Sequence, residues 1–249
     1  MLKIILSGCS GHMGHAFCEI ADTADNVEIV AGVDPVGCGG GFPVVKSFDL
    51  LSDKGDCIVD FSHPSALAGL LEYAEKTSTP AVICTTGLSE EQIENIKCTA
   101  KKVPIFFSFN MSLGVNLMTE LVAKAAQLLE GFDIEIIEKH HNQKLDAPSG
   151  TALMLVESME NVLGKNMKHE YDRHSKREKR TQNEIGIHSV RGGNIVGEHE
   201  VLFCGNDEVL SVKHIATSKK NFANGALCVA KFLQDKPAGL YSMKELVKE

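Results

Sequence analysis

No apolar run in the 249 residues approaches the ~20 positions a membrane-spanning helix needs, so the sequence predicts no such helix. Basic residues are in deficit: 25 Lys and Arg stand against 33 Asp and Glu, a formal charge of −8. That balance excludes a general nucleic-acid binder, whose phosphate contacts need a basic face. No C-x-x-C pair occurs among the eight cysteines, at 9, 18, 38, 57, 84, 98, 204 and 228. Several sit inside apolar runs, such as Cys57 before Ile58-Val59 and Cys84 after Val82-Ile83, where a free thiol behaves as a small hydrophobe. The amino-terminal stretch Met1-Leu2-Lys3-Ile4-Ile5-Leu6 is too short, and too soon followed by Ser and Gly, for a secretory signal. The expectation is a cytoplasmic protein with reduced structural thiols. Repeats and low-complexity segments are missing too. What is present, 43% hydrophobic and 23% charged residues, describes a globular chain with a sizeable core.

The first hundred residues alternate between two textures. Short apolar strands are predicted at 3–6, 27–33, 57–61, 81–84 and 103–107. Helices fall between them: one to about Ala21, one over 66–75 behind Pro64, and one opened by the capping box Ser89-Glu90-Glu91-Gln92 and ending near Lys101. Strand and helix in this rhythm predict an α/β fold, a doubly wound parallel sheet with helices on both faces.

After residue 110 the pattern changes. A helix is predicted over about 115–130, with Leu117, Leu121, Ala125 and Leu128 as its apolar face, then a strand over 133–139 running into His140-His141. A further helix starts at Ser149, with Ala152, Leu155, Val156 and Met159 at helical spacing. Residues 165–183 are rich in charge of both signs and read as a solvated mobile loop or lid. Three runs, 185–190, 196–204 and 208–216, are separated by Gly192-Gly193-Asn194 and Gly205-Asn206-Asp207, which predicts consecutive strands of an antiparallel sheet. A last helix over 222–233 is expected to return to the first domain, followed by a loose tail. The domain boundaries read 1–109 with 218–249, and 110–217 between them.

Gly8-x-x-Gly11-x-x-Gly14 follows the first strand and opens a helix, and Asp34 lies 20 positions past Gly14 at the end of the next strand. Glycines there let the backbone approach a pyrophosphate at a helix N-terminus, and the acid accepts hydrogen bonds from a ribose. Cys9 stands where the usual fingerprint has its first glycine, and a plain tight turn is the competing reading. Asp34 is followed by Pro35, with no adjacent cation to offset repulsion of a 2′-phosphate, which favours NADH over NADPH. Two other turns at strand ends, Thr85-Thr86-Gly87 and Ser108-Phe109-Asn110-Met111, are readable equally as ligand loops or as connections.

The densest polar stretch is Glu138-Lys139-His140-His141-Asn142-Gln143-Lys144-Leu145-Asp146-Ala147-Pro148-Ser149-Gly150-Thr151-Ala152. Ser149 can cap the helix, turning the Gly150 and Thr151 amides toward an anion. Adjacent histidines on an extended strand face opposite ways and should not share a role. A metal held by His140, His141 and Asp146 is disfavoured for that reason, and no metal is expected.

This stretch closely resembles the signature E-x-H-H-x-x-K-x-D-A-P-S-G-T-A of the 4-hydroxy-tetrahydrodipicolinate reductase (dihydrodipicolinate reductase) family. Met111-Ser112-Leu113-Gly114-Val115-Asn116, Val190-Arg191-Gly192-Gly193 with Ile195-Val196-Gly197-Glu198-His199, and Phe222-Ala223-Asn224-Gly225-Ala226 extend the resemblance over essentially the whole chain. The resemblance implies a Rossmann-type domain formed by both chain ends, with an α+β substrate and oligomerisation domain between them, its sheet mixed or antiparallel. It implies a homotetramer, and NAD(P)H-dependent reduction of a cyclic dicarboxylate with loss of water in lysine and diaminopimelate biosynthesis. By the same match His140 and Lys144 fall on catalytic positions, and His141, Gly150 and Thr151 on substrate-binding ones. Gly8, Cys9, Ser10, Gly11, His12, Met13, Asp34, Cys84, Thr85, Thr86, Ser108, Phe109, Asn110 and Met111 fall on cofactor-binding ones. An ammonium at Lys144 can protonate a reacting carbon, with His140 as a second donor or an orienting group.

The chain departs from the family in three places: Cys84 replaces a common Gly, Met111 a common Phe and Pro35 a common Arg. The stretch over 37–41 is also short and glycine-rich. Two rival readings are compatible with the glycine turn. One is another NAD(P)H-dependent dehydrogenase of a small acid, which has no need of the 138–152 cluster. The other is an NADH-sensing regulator, which would need the recognition helix or basic face this chain lacks.

Overall fold

The computed structural model describes residues 1–37, 41–52 and 54–247. Cys38 and two glycines of the 37–41 stretch lie outside the described residues. In chain order the strands are β1 (Leu2–Ser7), β2 (Val27–Val33), β3 (Val44–Val45), β4 (Cys57–Asp60), β5 (Ala81–Ile83), β6 (Pro104–Phe107), β7 (Asp133–His140), β8 (Lys168–Glu170), β9 (Glu184–Arg191), β10 (Gly197–Cys204), β11 (Val209–Ala216) and β12 (Gly239–Tyr241). The helices are α1 (His12–Ala21), α2 (Leu67–Thr77), α3 (Glu90–Ala100), α4 (Leu113–Leu128), α5 (Gly150–Leu163), α6 (Lys220–Leu233) and α7 (Met243–Val247). The chain divides into two compact units, Met1–Leu113 with Lys219–Glu249, and Gly114–Ser218.

The first unit holds a wholly parallel sheet in the order β12-β6-β5-β4-β1-β2-β3. Its central strands read as unbroken apolar runs because both faces are covered. Alternate side chains divide between two cores, as the pleat requires. Ile4, Leu6, Val59, Val82 and Phe106 pack with Phe17 of α1 and Ala226 and Leu233 of α6. Ile5, Ile58, Ile83 and Ile105 pack with Leu70 of α2 and Ile96 of α3 on the other side. Helix α6 therefore returns to this unit, as expected. The capping box at Ser89 is formed in both directions, with Gln92 N donating to Ser89 Oγ at 3.2 Å and Ser89 N to Gln92 Oε1 at 3.0 Å. The expected loose tail is corrected: β12 adds to the sheet edge beside β6, and Met243 of α7 is buried in the first core. Strands of two or three residues such as β3 and β12 are too short to show a period, so only an existing sheet edge reveals them.

The second unit is built on a mixed sheet in the order β11-β10-β7-β9-β8. The hairpin β10–β11 forms across Gly205-Asn206-Asp207 as read. The expected β9–β10 pairing does not: β9 runs parallel to β7 and β10 antiparallel to it on the opposite side. The Gly192-Gly193-Asn194 link instead wraps over the end of β7, with Gly192 N donating to His140 O at 2.9 Å and Asn142 N to Gly193 O at 3.2 Å. The turn chemistry was read correctly, but its partner strand was not.

The face expected for α5 is buried as read, in a core shared with Ile134, Ile136, Val201 and Phe203. For α4 the expected stripe is the wrong one. Val115, Met118, Val122 and Ala126 are buried, while Leu117, Leu121 and Leu128 are 48%, 49% and 67% exposed. Two apolar stripes compete on this helix, and spacing alone cannot rank them. The 165–183 segment is likewise tied down rather than free. It contributes β8, and Arg180 bonds Glu135 at 3.0 Å and Asp133 at 2.9 Å while Arg173 pairs with Glu184 and Lys176 with Glu170.

Candidate functional site

In the first unit the site begins where β1 ends. Gly8 takes φ +75°, and a Cβ there would stand 2.7 Å from the Phe61 backbone carbonyl. A Cβ on Gly14 would overlap the Gly8 carbonyl oxygen, so α1 packs against the turn only without a side chain. Gly11 caps α1 with no side-chain bond, leaving the amides of the first turn, from His12 and Met13 onward, to an anion. Asp34 is 6% exposed and accepts from Ser10 N at 3.0 Å and Val36 N at 2.9 Å, which clamps the turn to the end of β2. Each carboxylate oxygen retains a second lone pair for a ribose hydroxyl. The Cys9 side chain points into the core, where a Cβ on Gly32 would lie 2.7 Å from its Sγ. Cysteine is thus tolerated at a glycine position of the fingerprint.

A cavity of about 1010 Å³ opens beside this turn, and Gly8, Gly11, Asp34 and Thr86 line it. Lys46, Ser62 and His63 line it as well, and no spacing argument pointed to them. Lys46 reaches the cavity because Asp34 N bonds Val45 O at 2.9 Å, setting β3 beside β2. The turn after β5 is placed by buried polar groups, and that after β6 by bonds within the turn itself. Thr85 Oγ1 donates to Asp60 Oδ2 at 2.6 Å, and Ser62 Oγ to Asp60 Oδ1 at 2.6 Å. Burial pushes the Asp60 carboxyl up despite those bonds. Cys84 N donates to Asp60 O at 2.9 Å, and burial raises its thiol, so it is no nucleophile at neutral pH. Asn110 N donates to Ser108 Oγ at 3.2 Å, and Ser108 Oγ to Asn110 O at 2.9 Å, while Phe109 is exposed and stacks edge-on to Phe107. Met111 is buried in the core, and a side chain on Gly225 would collide with its carbonyl, which explains the glycine of the Phe222–Ala226 motif. The glycine turn, the acid and the cavity fit a dinucleotide.

In the second unit β7 alternates half-buried and buried positions, so Ile134, Ile136, Glu138 and His140 share the inner face. His140 is 9% exposed and His141 more open, so the two imidazoles differ as the pleat requires. Glu138 is fully buried. Its Oε1 accepts from Arg191 Nη2 at 2.7 Å and from Ser149 N at 3.3 Å, and its Oε2 accepts from Arg191 Nη1 at 2.9 Å. His140 Nδ1 lies 2.6 Å from the same Oε2. Burial would push the Glu138 carboxyl up, but bonds from Arg191, Ser189 and His140 outweigh it and hold it at about 2. Burial lowers the His140 pKa, and the charges of Lys144 and Arg191 lower it further against the pull of Glu138. His140 is therefore neutral near pH 7.

His199 packs edge-on against His140 with ring centroids 5.2 Å apart, and its Nε2 lies 2.9 Å from Ser149 Oγ. Burial pushes it down to about 4. Lys144 pairs with Asp146 at 2.8 Å. Ser149 caps α5 by accepting from Ala152 N at 3.2 Å, and no acid occupies the first turn of that helix, which carries Gly150 and Thr151. His140, Lys144 and the start of α5 are thus brought into one constellation. Glu138, Arg191 and His199 were not singled out by sequence reasoning, although all three lie in the motifs quoted for the resemblance. Among the described residues no group of three or more His, Cys, Asp or Glu could hold a metal, and none of the helices is long and apolar enough to cross a membrane.

Comparison with known proteins covers the same ground. The family profile "Dihydrodipicolinate reductase, N-terminus" matches residues 2–111, and "Dihydrodipicolinate reductase, C-terminus" matches residues 114–247. The 4-hydroxy-tetrahydrodipicolinate reductase of Caldanaerobacter subterraneus subsp. tengcongensis is 47% identical over 249 residues, covering 100% of this chain and 99% of that one. That of Clostridium tetani is 44% identical over 245 residues, 98% of this chain and 96% of its own. Among solved structures, a dipicolinate-bound dihydrodipicolinate reductase from Paenisporosarcina sp. TG-14 superposes with a TM-score of 0.82 at 24% identity over 97% of each chain. A myo-inositol dehydrogenase from Corynebacterium glutamicum shares the fold more distantly, with a TM-score of 0.59 at 17% identity, over 94% of this chain and 89% of that one. Two profile matches that together span nearly the whole sequence, and relatives aligned from end to end, establish that this chain belongs to the dihydrodipicolinate reductase family.

Proposed function

We propose that the chain reduces 4-hydroxy-tetrahydrodipicolinate to tetrahydrodipicolinate with NAD(P)H, releasing water, as a step of lysine and diaminopimelate biosynthesis. The observation that carries this reading is the second unit's constellation: a neutral imidazole held by a buried carboxylate, an ammonium, and a helix start open to a carboxylate. The nucleotide would be held by the 8–13 turn, Asp34, Cys84–Thr86 (84–86) and the 108–111 turn, and its nicotinamide supplies a hydride. The residue roles then separate by charge. Lys144, an ammonium, donates the proton that balances the hydride. His140, neutral, offers an acceptor at Nε2 and orients that transfer. The amides of Gly150 and Thr151 with His141 bind a substrate carboxylate. On this reading residues 1–109 and 218–249 serve the dinucleotide, and 110–217 the substrate and assembly.

NADH is the favoured cofactor, because Asp34 repels a 2′-phosphate and Pro35 offers nothing against it. Lys46, in the same cavity, is the cation through which NADPH would still be accepted. A homotetramer built through the middle domain fits the exposed leucines of α4 and the edge strand β11, where Val209 and Ile215 are exposed. A cytoplasmic location fits the free thiols of the described cysteines. The decisive experiment follows NADH absorbance with the condensation product of pyruvate and aspartate semialdehyde, and repeats it with NADPH. Consumption confined to other small acids would favour a general dehydrogenase, and binding without turnover a regulator. A wild type preferring NADPH would overturn the cofactor assignment alone.

A further inference from the structure

The signature Glu138 has no chemical role in the scheme above, yet it is fully buried with both carboxylate oxygens bonded. A carboxylate only accepts hydrogen bonds, so the 2.6 Å contact requires His140 Nδ1 to carry the proton. Among the described residues none hydrogen-bonds His140 Nε2, which keeps a lone pair. Arg191 grips both Glu138 oxygens from β9 as a fork, so the carboxylate cannot turn away. The same Arg191 donates to Asp146 O at 2.7 Å, and Glu138 accepts from Ser149 N.

We infer that Glu138, locked by Arg191, is the positioning residue of this site: it fixes the tautomer and orientation of His140 and anchors the start of α5 at the same time. It rests on the reading of His140 as a catalytic residue. The groups that face His140 are Glu138 from its own strand, Arg191 from β9, His199 from β10 and Lys144 from the loop beyond β7. Of these only Glu138 is negative, so its removal has one sign. The imidazole loses the group that favours its protonation, and the acid-side inflection of kcat/KM moves to lower pH.

The first test needs no variant. Nitrogen-15 spectra of the histidine rings in the intact protein should show His140 protonated at Nδ1 and bare at Nε2; the opposite tautomer overturns the inference. The second compares Glu138→Gln, His140→Gln and the double variant in turnover, pH profile and NADH affinity. Glu138→Gln should lower kcat by about 10- to 100-fold, as loss of an orienting partner does elsewhere, shift the acid inflection downward, and leave NADH affinity unchanged. The double variant should be no slower than His140→Gln alone. Multiplying losses would sink the idea that Glu138 acts through His140. Should the lone Arg191 prevent folding, Glu138→Gln with Arg191→Gln removes the pair together, and the same non-additivity with His140→Gln is required. If His140→Gln keeps the wild-type rate, the catalytic reading of His140 fails. If His140→Gln is crippled but Glu138→Gln is not, only the positioning role fails.

Discussion

The candidate ligand regions of the two units, each taken by itself, are built by opposite means. The first unit makes its ligand turn by leaving side chains out: Gly8 and Gly14 are required because backbone occupies the place a Cβ would take. The second makes its constellation by wiring side chains together across strands, with Glu138 as the hub of bonds to His140, Arg191 and Ser149. A site made of absences is damaged by adding an atom, and a site made of contacts by removing one. It also follows that the first is readable from local spacing, whereas the second is readable only once distant strands are placed.

The largest expected effect breaks the second region alone. Lys144→Ala removes the proposed proton donor and should depress kcat by about 10²- to 10⁴-fold, with NADH affinity nearly intact by fluorescence titration. An equal loss of cofactor affinity would assign Lys144 to the nucleotide region. The complementary change adds one carbon to the first region. Gly14→Ala forces a methyl group against the Gly8 carbonyl and should destabilise the first unit by about 1–3 kcal/mol, with NADH binding weakened. Folding of the second unit, followed by hydrogen exchange over residues 114–218, should be unchanged. If Gly14→Ala binds NADH as the wild type does, the turn is a mere connection.

How much of this was legible follows the same division. The order of the longer strands and helices in residues 1–107 was readable because both-face burial gives unbroken apolar runs. Asp34 was readable because it ends the strand next to the glycine turn. Lys46 was not, because a two-residue strand brings it there. In the second unit His140 and Lys144 lie in one contiguous motif, but the side chains packed around His140 were hidden by sequence distance. Arg191 lies 53 positions from Glu138, and His199 lies 50 from Ser149. Short turns suggested a meander, and only the wrap of 192–196 over β7 brings β9 and β10 to either side of His140. The exposed stripe of α4 misled for a further reason: periodicity reports that a face is apolar, not what covers it.

The smallest effect sharpens the comparison through pH. His199 ionises at 6.5 when exposed but only at about 4 in the folded chain, because burial disfavours the charged ring. As pH falls from 6.5 to 4 the unfolded chain takes up this proton first, so the second unit loses stability, by up to about 3 kcal/mol. Glu138 adds to the loss from about 4.5 downward, where the unfolded carboxyl takes up a proton while the folded one stays ionised to about 2. Asp60 works the other way in the first unit. Its carboxyl is raised by burial, so the folded state binds a proton before the unfolded chain does, and acidification toward 3.8 favours folding. Hydrogen exchange at pH 7 and pH 4.5, corrected for intrinsic rates, should therefore show residues 114–218 loosening before the β1–β6 core. His199→Asn, which removes the titrating ring but keeps a partner for Ser149, should reduce that difference, leaving the part due to His140, His214 and Glu138. Loosening of the parallel sheet first, or an unchanged difference in the variant, would place the acid-sensitive element elsewhere than the imidazole packed on His140.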